Sequence, residues 1–154
     1  MGFLTGKTAI ITGGGRAVLS NGECGSIGYG IATAYAKEGA NLVLTGRNVQ
    51  KLTDAKEELE KKYGIKVLPV QADVSAGSDN EAIVQNVVKQ AIDTFGRIDV
   101  LINNAQASAS GVTIADHTTE QFDLAVYSGL YAAFYYMKAC YPYLKETKGS
   151  VINF

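Results

Sequence analysis

The chain is 154 residues long, 47% hydrophobic and 19% charged, a composition that builds one packed domain rather than a disordered segment. Its 14 basic and 15 acidic side chains leave a formal charge of -1, so neither nucleic acid nor anionic lipid is offered a basic face. Two distant cysteines, Cys24 and Cys140, with a single histidine, His117, are too few ligands for a zinc site and make no disulfide framework.

In chain order, residues 7–12 (KTAIIT) form a short β-branched run that reads as a buried strand ending at Gly13, and a glycine-rich stretch follows. Residues 28–37 place Ile31, Ala34 and Tyr35 on one helical face, and Gly39 closes that helix. Residues 41–45 make the second strand, and 49–63 a charged amphipathic helix stopped by Gly64. Residues 66–70 are a third strand, whose Pro69 places it near a sheet edge or strand end. Residues 79–95 are helical, with Ile83, Val87, Val88 and Ile92 as the apolar stripe, and 99–102 form the fourth strand. A long aromatic-rich helix is expected from 119 to about 141, N-capped by Thr118 or Thr119, before 150–154 begin a fifth strand.

Strands that are continuous apolar runs, alternating with helices, specify a parallel sheet covered on both faces. The expected fold is α/β: a Rossmann-like doubly wound sheet in three α/β/α layers. Such folds commonly have about six strands or more. The expectation is therefore that residues 1–154 are a dinucleotide-binding Rossmann domain cut within its fifth strand, without the C-terminal catalytic and substrate-binding part. The N-terminal residues hold no long apolar stretch, Gly6 stands where a myristoylation signal needs Ser or Thr, and no run approaches the ~20 residues of a membrane span. A cytoplasmic protein without leader peptide is expected.

Ligands of open α/β sheets bind at the carboxyl ends of the strands. There the chain reads Thr12-Gly13-Gly14-Gly15-Arg16, followed by Ser26-Ile27-Gly28. Glycines let the backbone approach a pyrophosphate, and amides at the helix N-terminus face its charge. The placement after the first strand and before the first helix makes the signal specific.

These residues, continued by Tyr29-Gly30-Ile31-Ala32, resemble the T-G-x-x-x-G-I-G-x-x-I-A pattern of the short-chain dehydrogenases/reductases. Residues 17–25 then look like an insertion, and Ser26 replaces a glycine. Enoyl reductases of the same superfamily have a longer loop ending in Ser-Ile. In this reading Ser26 adds a hydroxyl donor to a phosphate oxygen while Ile27 presents its amide. The second strand ends Gly46-Arg47-Asn48, without the acid that favours NAD. Arg47 suits a 2′-phosphate through its planar fork, Arg16 approaches the same phosphate, and the expected cofactor is NADP(H).

The resemblance implies further roles. Asp73-Val74 matches the family's D-V motif, where the carboxylate accepts from the adenine amino group. Asn103-Asn104-Ala105 matches its N-N-A-G turn against the cofactor ribose, with Gln106 in place of glycine. The family's catalytic Ser and Tyr-x-x-x-Lys pair follow the fifth strand and lie beyond Phe154, so residues 1–154 alone are expected to be inactive. Tyr141 and Lys145 share the spacing but end a helix upstream. The asparagine that relatives carry on the long helix is replaced by Gly129, leaving water or Ser128 to carry any proton relay. Leu124, Tyr127, Tyr131 and Tyr135 share one helical face, and a homo-oligomer through helix 119–141 is expected. His117 is a loop or capping residue, and Cys24 an incidental cysteine of the inserted loop.

Longer stretches, among them FGRIDVLINNAQASASG and FDLAVYSGLYAAFYYM, are similar to the bacterial NADP-dependent 12α-hydroxysteroid dehydrogenases that act on bile acids. The resemblance implies a hydroxysteroid or its ketone as substrate. A reductase of another substrate, such as an enoyl thioester, and a non-catalytic dinucleotide-binding module are the alternatives.

Overall fold

The computed structural model describes residues 2–154. Five parallel strands, β1 (Thr8–Thr12), β2 (Asn41–Gly46), β3 (Val67–Gln71), β4 (Val100–Asn103) and β5 (Ser150–Asn153), lie in the order β3-β2-β1-β4-β5. Pro69 is on β3, which is the sheet edge, where its missing N–H leaves no ladder bond unmade. The strand order reverses at β1, and the crevice outside its carboxyl end is the place where such sheets take a ligand.

Alternation along the central strand divides the core. Ala9 and Ile11 face α1 (Ile27–Lys37) and α2 (Val49–Tyr63), packing with Tyr29, Ala36, Leu52 and Leu59. Ile10 faces the other way, against Val84, Val87 and Val88 of α3 (Asn80–Phe95) and Tyr136, Cys140 and Leu144 of the last helix. Both faces of the sheet are thus covered, the three-layer arrangement that the sequence pattern predicts. Gly64 and Gly96 end α2 and α3 at positive φ (68° and 72°), conformations that a side chain would strain.

The long helix departs from expectation. It begins as α4 (Thr119–Ala125), with Thr118 and Gln121 forming a capping box. It then widens into a π-helical turn, Val126–Tyr131, and resumes as α5 (Ala132–Thr147). The expected end near 141 falls short because α5 runs through Pro142. Proline removes one helical bond, but Tyr136, Cys140 and Leu144 recur every fourth residue and stay buried beneath it. Burying side chains of this size contributes roughly 1.5–3 kcal/mol apiece, enough to offset one proline. Pro142 itself is exposed.

Among the described residues no helix is long and apolar enough to cross a membrane, and no three metal-ligating side chains cluster.

Candidate ligand crevice at the carboxyl ends of the strands

The crevice starts from one hydroxyl. Thr12 Oγ1 accepts from the backbone amides of Asn104 and Ala105, both at 2.9 Å, while Asn104 Nδ2 donates to the Thr12 carbonyl at 2.9 Å. The ends of β1 and β4 are thereby locked. From there Gly13, at φ 72°, turns the chain over β2, where the amides of Gly13 and Gly14 donate to the Thr45 carbonyl (2.8 and 3.1 Å). Gly28 closes on this turn so tightly that a Cβ there would stand 2.1 Å from the Gly13 carbonyl oxygen.

Residues 17–25 form a small hairpin beside the turn. Leu19 donates to Glu23 (2.8 Å), Gly25 donates to Ala17 (2.7 Å), and Val18 bridges Cys24. Cys24 is exposed and free, and Cys140 is buried and free. Ser26 caps α1, its hydroxyl oxygen accepting from Tyr29 N at 3.4 Å, which leaves its O–H available to a ligand. Asn48 caps α2 by accepting from Lys51 N at 3.0 Å. Neither helix carries an acid in its first turn, so the positive end of each dipole is left for an anion.

The structure brings Gly13, Arg47, Asp73, Val74, Asn104, Ala105 and Gln106 together around one crevice, in which Arg47 and Asp73 are the only charged side chains among the described residues. Ser26 and Ile27 stand outside that wall at the start of α1, and Asn48 at the start of α2. Asp73 Oδ1 accepts from Ser75 N (2.9 Å) and Ser75 Oγ (2.6 Å). Partial burial opposes its charge, but these bonds and the positive charge of Arg47 hold the carboxyl below its usual range. Gln71 Nε2 donates to the Arg47 carbonyl at 3.0 Å and steadies the turn that presents the guanidinium. Gln71, Ser75 and the hydroxyl of Thr12 are the supports that sequence reading missed. Only Asp-x-Ser, an Asx-turn signature, offered a signal.

Arg16 goes elsewhere. Its backbone amide donates to the Lys51 carbonyl (2.7 Å), and its Nε donates to Glu58 Oε2 at 2.5 Å. Glu58 lies two turns further along α2, about 10 Å at 1.5 Å per residue. The Arg16 hydrogen bond holds the Glu58 carboxyl below its usual range. This pairing ties the glycine turn to α2 and turns the guanidinium away from the crevice wall. In the full-length protein, Arg16→Gln is therefore expected to lower Tm by no more than a few degrees, because the pair is screened by solvent, and to leave the ratio of NADP+ to NAD+ affinities unchanged. A fluorescence titration with both nucleotides checks it; a ratio that falls tenfold would return Arg16 to the phosphate.

On the long helix, Ser128 Oγ donates to the Leu124 carbonyl (2.7 Å) and accepts from Ala107 N (2.9 Å). The residue is buried and pins the segment after Gln106. Tyr127, Tyr131 and Tyr135 form a ladder with ring centroids 5.2 and 6.1 Å apart. His117 sits in the preceding loop, Nδ1 3.1 Å from the Thr113 carbonyl. Tyr141 and Lys145 lie exposed along α5.

A crossover at β1, a glycine turn into an uncompensated helix N-terminus and an arginine closing β2 define a Rossmann-like α/β protein with its ligand crevice at the strand ends. Residues 7–154 match the short chain dehydrogenase family, and the chain belongs to it. It is 66% identical over 154 residues to a 12alpha-hydroxysteroid dehydrogenase of Clostridium sp., covering 100% of this chain and 57% of that protein. It is 36% identical over 150 residues to an uncharacterized oxidoreductase of Bacillus subtilis, covering 97% of this chain and 48% of the relative. Among solved structures, L-sorbose reductase from Gluconobacter frateurii complexed with NADPH and L-sorbose superposes with a TM-score of 0.81 at 31% identity, covering 98% of this chain and 52% of that one. An alcohol dehydrogenase from the archaeon Thermococcus sibiricus complexed with 5-hydroxy-NADP has a TM-score of 0.81 at 29% identity, covering 94% and 56%. The chain thus spans about half the length of the proteins it resembles.

Proposed function

We propose that the full-length protein is an NADP(H)-dependent oxidoreductase that exchanges hydride with a secondary alcohol or ketone, and that its substrate is a hydroxysteroid bearing a 12α-hydroxyl. The 66% identity to a 12alpha-hydroxysteroid dehydrogenase carries the substrate reading. The cofactor reading rests on Arg47 closing β2 where the sequence Thr45-Gly46-Arg47-Asn48 carries no acid, and on structural neighbours solved with NADPH or 5-hydroxy-NADP. The crevice fits a dinucleotide: the Gly13–Gly28 approach leaves room only for bare backbone, and Asp73 keeps one carboxylate oxygen for an adenine amino group. When bound, the nicotinamide would accept hydride from the alcohol in its oxidised form and give hydride to the ketone in its reduced form. Residues 1–154 form the cofactor-binding part: Ser26 and Ile27 meet the pyrophosphate, Arg47 and Asn48 the ribose 2′ side, Asp73 and Val74 the adenine, and the turn of Asn104, Ala105 and Gln106 lies against the cofactor ribose. A serine, a tyrosine and a lysine beyond residue 154 would act on the substrate. The serine-capped loop at Ser26-Ile27 favours an enoyl thioester reductase as the second reading.

The exposed faces of Tyr127 (38%) and Tyr131 (44%), beside Leu130 and Phe134, support a homo-oligomer built on this helix, and the two free thiols suit the cytoplasm. The decisive experiment presents the full-length protein with NADP+ and a panel of bile acids that differ only in hydroxyl position. NADPH formation confined to 12α-hydroxylated members is expected; turnover of 3α- or 7α-hydroxyls alone, or of an enoyl thioester, would overturn the reading. Arg47→Ser in the same protein is expected to lower NADP+ affinity 10- to 100-fold, about 1.5–3 kcal/mol for a charge-assisted contact, with little change for NAD+. Paired Kd measurements check this.

A further inference from the structure

One carboxylate on α2 gathers three elements. Glu58 Oε2 accepts from Arg16 Nε at 2.5 Å, joining the glycine turn to the helix. The Tyr29 side chain of α1, 1% exposed, comes to the same carboxylate from the core. The Arg16 hydrogen bond, and after it the Tyr29 hydroxyl and the charges of Arg16 and Lys62, outweigh partial burial and keep Glu58 ionised. Burial, and then Glu58, push the Tyr29 phenol up, so the tyrosine stays neutral beside it. Asp54, the other acid near the guanidinium, accepts instead from Gln50 Nε2 at 2.7 Å.

Arg16 is fixed at its root as well. Its amide is bonded to the Lys51 carbonyl (2.7 Å), and Lys51 lies only about 4.5 Å of helix from Asn48 at the start of α2. From that root an extended side chain can run either way along α2: back toward Asn48 and Arg47, or forward to Glu58. It runs forward. Both side chains of the pair keep 35% of their surface in water, so the pair adds little to stability. Its larger effect is on direction, because a guanidinium is always charged and its planar fork suits a phosphate.

We propose that Glu58 is a positioning residue that sets cofactor preference: it holds the Arg16 guanidinium along α2, away from the ribose 2′ side that Arg47 closes. The preference for NADP(H) over NAD(H) is thereby kept below what two arginines together would give. The inference rests on the NADP(H) reading above. Held by one guanidinium rather than two, the cofactor dissociates faster after each turnover.

The test is fluorescence titration of the full-length protein with NADP+ and NAD+. Glu58→Gln is expected to raise the ratio of NADP+ to NAD+ affinity about three- to tenfold over wild type, the gain from one part-exposed charge-assisted contact. Adding Arg16→Gln to it is expected to return the ratio to the wild-type value. Glu57→Gln removes the same charge from an exposed neighbour without freeing Arg16, and its ratio is expected to stay within about twofold of wild type. A Glu58→Gln protein that binds both nucleotides more weakly by the same factor shows that the acid only supports the fold, and overturns the proposal. So does an unchanged ratio, a rise that Glu57→Gln reproduces, or one that survives the addition of Arg16→Gln. Failure of the cofactor reading would show separately, as a wild-type protein with no preference for NADP+; the effect of Glu58→Gln is read relative to wild type in either case.

Discussion

Gly28→Val in the full-length protein is expected to weaken nucleotide binding more than about 100-fold, beyond ~2.7 kcal/mol, and to lower the Tm as well. Even a Cβ at this position would stand 2.1 Å from the Gly13 carbonyl oxygen and 2.7 Å from Asn104 Nδ2. Neither neighbour can retreat. The Gly13 turn is hooked to the Thr45 carbonyl, and Asn104 Nδ2 is committed to the Thr12 carbonyl. The first turn of α1 would have to lift off the glycine turn, taking with it the amides offered to an anion. Gly30→Ala is the control, because a Cβ there meets only the Cys24 Cβ at 3.8 Å. Titration of both variants with NADP+ separates the outcomes; a Gly28→Val protein that binds like Gly30→Ala would show that the close approach has no bearing on the ligand.

Asp99→Ala is expected to destabilise the full-length protein by about 2–4 kcal/mol, from lost charge-assisted bonds and one orphaned buried amide. Asp99 is 3% exposed at the sheet end opposite the crevice, and its carboxylate accepts from Thr8 N (2.9 Å), Arg97 Nε (2.8 Å) and Arg97 Nη2 (2.6 Å), with Lys7 Nζ at 3.7 Å. Lys7 and Arg97 keep 42% and 45% of their side-chain surfaces in water, so the ion pairs themselves are screened. The larger share comes from Thr8, itself 1% exposed, whose amide is left without an acceptor. Burial alone would raise the Asp99 pKa, yet the Arg97 and Thr8 bonds outweigh it and hold the carboxyl below its usual range. A carboxyl whose folded value is depressed stabilises fully above its unfolded value near 4 and loses that contribution as the pH falls through the folded value. Wild type should therefore lose stability below about pH 4 more steeply than Asp99→Asn. Parallel acid slopes of Tm for the two proteins would remove Asp99 from the account.

Local signals were read well from the sequence, and pairings across long separations were not. Gly64, the Thr118 cap and Pro69 each act through backbone rules that involve only near neighbours, and each falls where expected. Pro142 obeys a local rule too, but the buried repeat of Tyr136, Cys140 and Leu144 overrides it. The Tyr127, Tyr131 and Tyr135 spacing suits an ordinary helix, so nothing in it announces a wider turn at Val126–Tyr131. Arg16 reads as a phosphate ligand from its place in the glycine turn, and nothing near it in the sequence points to its pairing with Glu58, 42 positions away. Gln106 and Gly129 each depart from the family pattern, and no local rule announces that a Cβ at Gly129 would stand 3.8 Å from Gln106 Oε1.

The hairpin at 17–25 has one more implication. Its two roots, Ala17 and Gly25, are held together by a 2.7 Å hydrogen bond, so the chain leaves and rejoins its path at nearly one point. Such a segment is a side branch. Doubling its length would add only ~0.6 kcal/mol of closure entropy. The tip around Asn21 and Gly22 can be lengthened, pruned or redecorated while the glycine turn and α1 stay in register, and a fluorophore or affinity tag grafted there would leave the crevice untouched.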